Sequence, residues 1–174
     1  MATLMIQNAR CSFPSLFQTA QYKGEDLGKY EVTLLLEKDG EMAKMVEKAI
    51  KDVGTEVLGK AWTKAKLPMK DGDGVDYDGY QNQWALKATT KKRPLCIDRD
   101  KTPLTEEDGV IYPGCYINAK VSIYAYTNSY GSFVGAQLEA VQFSKHGESF
   151  GGGGASVDDF EDISDTDAGG DAPF

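Results

Sequence analysis

Residues 115–127 constrain the fold most, because apolar and polar side chains alternate along them almost without interruption. Successive side chains of a β-strand point to opposite faces, so this period of two predicts a strand. One face is expected to join the core and carries Ile117, Ala119, Val121, Ile123 and Ala125. The other face carries Tyr116, Asn118, Lys120, Ser122, Tyr124 and Tyr126.

The second face of this strand combines three tyrosines with a lysine. Aromatic rings on which bases stack, together with cations for phosphates, are the two components of a sequence-tolerant single-stranded nucleic-acid surface. Tyrosine also favours strands and often covers a half-buried sheet. The strand taken alone therefore leaves a binding and a purely structural interpretation open.

The net charge of −8 is concentrated at one end of the chain. Residues 151–174 contain no base and seven acids: Asp158, Asp159, Glu161, Asp162, Asp165, Asp167 and Asp171. Removing these seven from the total of −8 leaves −1 for residues 1–150, so the body is nearly neutral and its charge does not oppose binding of a polyanion. A length of 174 residues predicts one domain with appendages.

The chain lacks the usual signatures of catalysis. His146 is the single histidine, and Cys11, Cys96 and Cys115 are far apart without metal-ligand spacing. No glycine-rich phosphate motif precedes a helix, so we expect no enzyme, no metal and no cofactor, with a carboxylate-based nuclease as the open alternative. The cysteines indicate reduced thiols in a cytosol, and the absence of a signal peptide or long apolar run predicts an unexported protein without membrane contact.

Four further strands and one helix follow from local periodicity. Strands are predicted at residues 3–12, 29–36, 84–90 and 133–143, the first of them stopped by Pro14. Apolar residues at helical spacing predict an amphipathic helix at residues 41–58, with Asp39 as its N-cap and Gly59 at its end.

Three polar segments separate or follow these elements. Residues 71–80 resemble a calcium loop but fail at Val75, Asp76 and Asn82, so we interpret them as a flexible loop. Lys91, Lys92 and Arg93 form a basic triplet that would attract phosphates or simply occupy a solvated turn. Residues 151–174 begin with four glycines and continue with acids and small residues, which predicts a disordered tail ending at Phe174 after a domain of residues 1–150.

Three stretches of the chain carry a resemblance to a known family. They are residues 9–17 (Ala-Arg-Cys-Ser-Phe-Pro-Ser-Leu-Phe), residues 71–94 with Trp84 and the basic triplet, and residues 112–148 with Tyr124-Ala-Tyr126. Together they resemble a family of bacteriophage single-stranded DNA-binding proteins, over nearly all of residues 1–150.

The resemblance implies a mainly β fold, a five-stranded OB-type antiparallel barrel with one amphipathic helix. One departure is expected, since the helix usually follows the third strand and here follows the second. Either the family has its own variant or the third strand is misplaced. We expect DNA to be bound by Tyr77, Tyr80, Trp84, Lys87, Lys91, Lys92, Arg93, Tyr116, Lys120, Tyr124 and Tyr126.

The resemblance also implies a partner-binding role for the tail. Its acids and Phe174 are expected to recruit phage or host replication and recombination proteins in the cytoplasm of the bacterial host. Two other functions stay open, a structural or assembly protein of the phage particle and a DNA-mimic inhibitor. The sequence leaves the oligomeric state and the DNA site size undetermined.

Overall fold

The computed structural model describes residues 1–77 and 79–150, so the predicted disordered tail lies outside the described residues. One long helix, α1, spans Glu41–Leu58. The strands are β1 (Ala2–Ser15), β2 (Gln21–Tyr22), β3 (Glu25–Asp26), β4 (Tyr30–Glu37), β5 (Met69–Asp71), β6 (Gln83–Thr90), β7 (Leu95–Ile97), β8 (Tyr116–Asn128) and β9 (Gly131–Lys145).

Five strands close into a barrel in the order β6-β4-β1-β8-β9, and a pairing of Thr89 with Gln137 joins β9 back to β6. This order confirms the predicted OB-type barrel and all five predicted strands. The closing contact is parallel, whereas the other four barrel contacts are antiparallel as predicted. The short strands β5 and β7 extend the sheet beside β6 and β9.

The barrel interior is filled by the apolar faces of its strands. The predicted core face of β8 is confirmed, since Ile117, Ala119, Val121 and Ile123 are fully buried. Leu34 and Leu86 meet them from β4 and β6 with no exposed surface. A closed barrel removes the unpaired edges that an open sheet would present to solvent.

Two bulges allow β1 to pair with two neighbouring strands. Its first part pairs with β8 and its last part with β4, with register shifts between Ile6 and Ala9 and between Ser12 and Ser15. The strand therefore continues past Pro14, where it was predicted to stop, because a bulge tolerates the missing N–H of proline.

Helix α1 lies between the second and third barrel strands, as the sequence predicted, so the third strand was placed correctly. It packs against β8 and neighbouring strands through Ala43, Val46, Ala49, Ile50 and Val53, all buried. Gly59 ends the helix with a φ of 59°, as predicted, whereas the Asp39 cap is wrong because Gly40 is the N-cap and no side chain caps it. Among the described residues, no helix has the length and apolarity to cross a membrane.

The loop between β5 and β6 is more regular than the predicted flexible segment. A 3₁₀ turn spans Gly72–Gly74, and the Lys38 ammonium lies 2.6 Å from an Asp71 oxygen and 2.7 Å from an Asp73 oxygen. Hydrogen bonding to Lys38 lowers the pKa of the Asp71 carboxyl below its usual value. These acids are thus paired with a cation, and residues 1–77 and 79–150 contain no cluster of three metal-ligating side chains.

After β9, residues 146–150 run back along β1 as a strap. Arg10 Nη2 donates to the carbonyl of Glu148 at 2.7 Å, and the Phe150 N–H donates to the carbonyl of Pro113 at 3.1 Å. The Arg10 guanidinium lies 4.2 Å from the centre of the Phe150 ring. Gly114, with a φ of 108°, leaves no room for a side chain because a Cβ there would collide with the backbone of Glu148.

We expect Gly114→Ala to destabilise the fold more than Gly24→Ala. Both glycines have positive φ, but nothing lies within 4 Å of a Cβ at Gly24. Gly24→Ala should cost about 1 kcal/mol for the backbone conformation alone, and Gly114→Ala roughly 3 kcal/mol because the strap must also move. Chemical denaturation of both variants measures the difference, and equal losses would show that the strap is not tightly packed.

Candidate nucleic-acid interface

Three rings form a continuous stack on the outside of the barrel. Tyr124 and Tyr126 of β8 lie with ring centres 5.9 Å apart and planes 16° from parallel. Phe133 of β9, the register partner of Tyr126, continues the series at 5.1 Å and 18°. We call Tyr124, Tyr126 and Phe133 the aromatic stack. Two of its members were predicted site residues, and Phe133 was assigned only to a strand.

A glycine opposite Tyr124 makes this arrangement possible. Gly135 is the register partner of Tyr124, and a Cβ there would lie 2.5 Å from the Tyr124 ring. The ring therefore lies over the bare backbone of β9, where burial raises the pKa of its hydroxyl above the usual value. In the sequence this arrangement corresponds to Phe-x-Gly in one strand opposite Tyr-x-Tyr in the other. It can be recognised only once the hairpin register is known.

Two lysines from other segments lie near the aromatic stack. Lys66 places its ammonium 5.7 Å from the centre of the Phe133 ring. Two backbone hydrogen bonds fix its segment, from Lys66 N to Ser132 O at 3.0 Å and from Val134 N to Lys66 O at 2.8 Å. Lys87 of β6 is half-exposed and lies 3.2 Å from Glu31. Lys66 was not predicted to belong to the site, because only tertiary pairing brings it beside β9.

Strand pairing connects β1 with the lysines and the aromatic stack. Ser12 of β1 pairs with Thr33 of β4, which pairs with Lys87 of β6. The N–H of Lys87 donates to the carbonyl of Pro68 at 2.9 Å. Lys66, which precedes Pro68 by two residues, forms a β-bridge with Phe133. One transverse row therefore leads from β1 to the aromatic stack.

A second group of rings lies at the β1 end of this row. Phe13 contacts Tyr77 edge-on with ring centres 5.1 Å apart, and Tyr77 contacts Tyr80 in the same way at 5.3 Å. We call Phe13, Tyr77 and Tyr80 the bulge cluster, because Phe13 lies in the second bulge of β1. Phe13 is 53% exposed and Tyr77 is 50% exposed.

Two predicted site residues are buried or partly buried. Tyr80 is only 4% exposed, and its hydroxyl shares a 2.7 Å hydrogen bond with the buried Ser12, so its prediction as a DNA-binding ring is wrong. Burial raises the pKa of this hydroxyl. Trp84 packs partly buried against the core, since it points to the face of β6 opposite Lys87.

The three tyrosines of β8 do not form one continuous surface, because they lie at opposite ends of the strand. Tyr116 lies eight residues from Tyr124, or about 26 Å along the strand. Its ring is 4.7 Å from the Lys145 ammonium and 5.9 Å from the Arg10 guanidinium. Between the two ends, Lys120 is exposed beside a bulge, and Ser122 is buried and donates to Glu139 at 3.2 Å. Tyr116 thus cannot stack with the other two tyrosines.

The basic triplet lies beyond the end of β6, away from the aromatic stack. Lys91, Lys92 and Arg93 are all exposed. The Lys92 N–H donates to Thr90 Oγ1 at 3.1 Å, and the Arg93 guanidinium lies 5.7 Å from the centre of the Phe17 ring. These charges follow directly after Thr90, the last residue of β6.

A closed five-stranded OB-type barrel with stacked, partly exposed rings on its outer wall is typical of one class, the OB-fold proteins that bind single-stranded nucleic acids. The chain belongs to one family within it, since residues 2–171 match the family model described as Enterobacter phage Enc34, ssDNA-binding protein. This family is one of binding proteins rather than enzymes.

Relatives and solved structures agree with this assignment. Protein p50 of Acyrthosiphon pisum secondary endosymbiont phage 1 is 37% identical over 92% of this chain and 94% of its own length. The single-stranded DNA-binding protein from bacteriophage Enc34 in complex with ssDNA is 28% identical, covers 86% of this chain and 89% of that one, and superposes with a TM-score of 0.73. The single-stranded DNA-binding protein gp2.5 of bacteriophage T7, 17% identical over 91% and 92% of the two chains, shares the fold with a TM-score of 0.61.

We expect Tyr80→Phe to lower stability, because it leaves the buried Ser12 hydroxyl without its partner. The cost should be about 1–3 kcal/mol of unfolding free energy. Adding Ser12→Ala removes the orphaned hydroxyl, so the double variant should lose less than the sum of the two single variants. A double-mutant cycle by urea denaturation measures this coupling, and strictly additive losses would show that the hydrogen bond contributes nothing.

Proposed function

We propose that this protein binds single-stranded DNA without sequence preference, with the aromatic stack as the primary site. The observation that carries the proposal is the near-parallel stacking of Tyr124, Tyr126 and Phe133 on an open barrel wall. Membership in a family of phage single-stranded DNA-binding proteins supports it, as does the fold shared with the Enc34 protein that was solved with ssDNA.

The arrangement explains tolerance of sequence. Every base offers a flat π-face, so stacking contributes about 1–3 kcal/mol per base whatever its identity. The edge of the stack is open, since Tyr126 is 42% exposed. Lys66 provides positive charge beside the stack. The charge of Lys87 is offset by Glu31 at 3.2 Å, and Lys91, Lys92 and Arg93 add three exposed cations past the end of β6. These cations attract phosphates and release their counterions, which makes binding depend on salt.

The biological role follows from this activity. A protein that coats single strands without reading sequence acts where duplexes are opened, in replication or recombination of phage DNA within the bacterial host. An assembly protein of the particle would have no use for an exposed ring stack. A DNA mimic needs its acids displayed on a rigid surface, whereas the acids here are concentrated in the tail sequence and the remaining body has a charge of only −1 once they are subtracted from −8.

We expect Tyr126→Ala to weaken binding of fluorescein-labelled dT20 by about 1–3 kcal/mol, because the aromatic stack loses its central and most exposed ring. Tyr126→Phe is the matched control and should bind almost normally, since it keeps the ring. Fluorescence anisotropy measures the affinities, and thermal melting checks that both variants fold. If both variants bind like the parent protein, the aromatic stack is not the primary site.

For the tail we propose two roles in one cycle. Its seven acids compete with DNA for the lysines of the barrel wall when DNA is absent, and they recruit replication proteins once DNA displaces them. Residues 151–154 link the acids covalently to the strap, and covalent linkage raises the local concentration of the acids at the wall. Phe174 adds an aromatic anchor for the recruited protein.

Removal of residues 151–174 should therefore have two opposite effects. DNA binding should tighten, most strongly at low salt where charges are least screened, and capture of replication proteins from infected-cell extract should be lost. Anisotropy titrations of the full-length and truncated proteins at two salt concentrations measure the first effect, and affinity capture measures the second. A chain with all seven acids changed to amides is the control that separates charge from length.

A further inference from the structure

We propose that the bulge cluster is a second stacking platform for the same DNA strand, with Phe13 as its outermost ring. This inference rests on the proposed single-stranded DNA binding and adds a site and a path to it. It assigns a binding role to Phe13, which was not among the predicted site residues, and it pairs the exposed Tyr77 ring with a second exposed ring.

The first argument is the conformation of Phe13. Its φ is 46°, in the left-handed region that bulky side chains avoid. Burial of the ring offsets little of this backbone strain, because the side chain is 53% exposed. The barrel alone thus gives no reason for a phenylalanine at this point of the bulge, where glycine or asparagine would be unstrained. Strain at an exposed aromatic residue is typical of a position kept for ligand contact.

The second argument is that the bulge cluster is preorganised before DNA binds. The buried Tyr80 supports Tyr77 from below and is itself bonded to Ser12 of the barrel. On the other side, the Phe150 ring of the strap lies against Gly79, where a side chain would collide with it. The segment that carries Tyr77 is therefore fixed from two directions, so little ordering entropy is lost when a base stacks on it.

The third argument is position. The transverse row from Ser12 through Thr33, Lys87 and the Lys66 segment runs around the barrel from the bulge cluster on β1 to the aromatic stack on β9. The row crosses four strand spacings to reach Phe133, or roughly 19 Å along the curved wall. Lys87 and Lys66 lie on this row, between the bulge cluster and the aromatic stack. An extended DNA strand presents both bases and phosphates along its length, and rings on either side of cations match these contacts.

The test compares full-length Phe13→Gly with the parent protein on fluorescein-labelled dT20 and dT4. Glycine removes the ring and relieves the strain, so the variant should melt at the same or a higher temperature than the parent. Binding of dT20 should weaken about fivefold or more, with an unchanged salt dependence because no charge is lost. Binding of dT4 should change no more than about twofold, since a strand this short still contacts the aromatic stack.

Asn8→Gly is the matched control, because Asn8 has a φ of 54° in the other bulge of β1 and lies away from the row. It should bind dT20 like the parent protein. The inference is overturned if Phe13→Gly binds dT20 normally while Tyr126→Ala weakens it, and the proposed function then stands. A parent protein that binds neither oligonucleotide overturns the proposed function itself. Equal losses on dT4 and dT20 together with a lower melting temperature would show that the ring only supports the fold, which also overturns the inference.

Discussion

The structure depends on strand β8 being hydrogen-bonded along both edges while one of its faces is fully buried. Its partners are β1 and β9, and together the three strands supply most of the barrel wall. Once Ile117, Ala119, Val121 and Ile123 face inward, the period of two forces Tyr124 and Tyr126 outward. Burial of the core face thus dictates which residues a ligand can reach.

The wall that we propose to bind DNA is built where regular strand structure is interrupted. Gly135 leaves a gap in the side-chain layer of β9, and the ring of Tyr124 occupies it. The second bulge of β1 turns Phe13 out of the sheet toward Tyr77. In both places an exception to the pleated pattern provides a flat apolar surface that a continuous strand would not offer.

Polar contacts position the segments that surround this wall. Lys38 anchors the start of the loop between β5 and β6, and Arg10 anchors the strap after β9. Because Phe150 of the strap lies against Gly79, the tail sequence begins beside the bulge cluster. The geometry therefore brings the last described residue before the acidic sequence close to the rings of the bulge cluster, although the two are far apart in sequence.

The sequence alone determined the barrel strands, the helix limits and the two faces of β8, because local periodicity and burial dictate these features. It also determined the nearly neutral body and the acidic tail composition. It could not determine that Tyr80 is buried, that Tyr116 lies far from Tyr124, or that Phe133, Gly135 and Lys66 surround the same rings. Those relations depend on strand register and on loops that fold back over the sheet, and pairing between residues distant in the chain is decided only when the barrel closes.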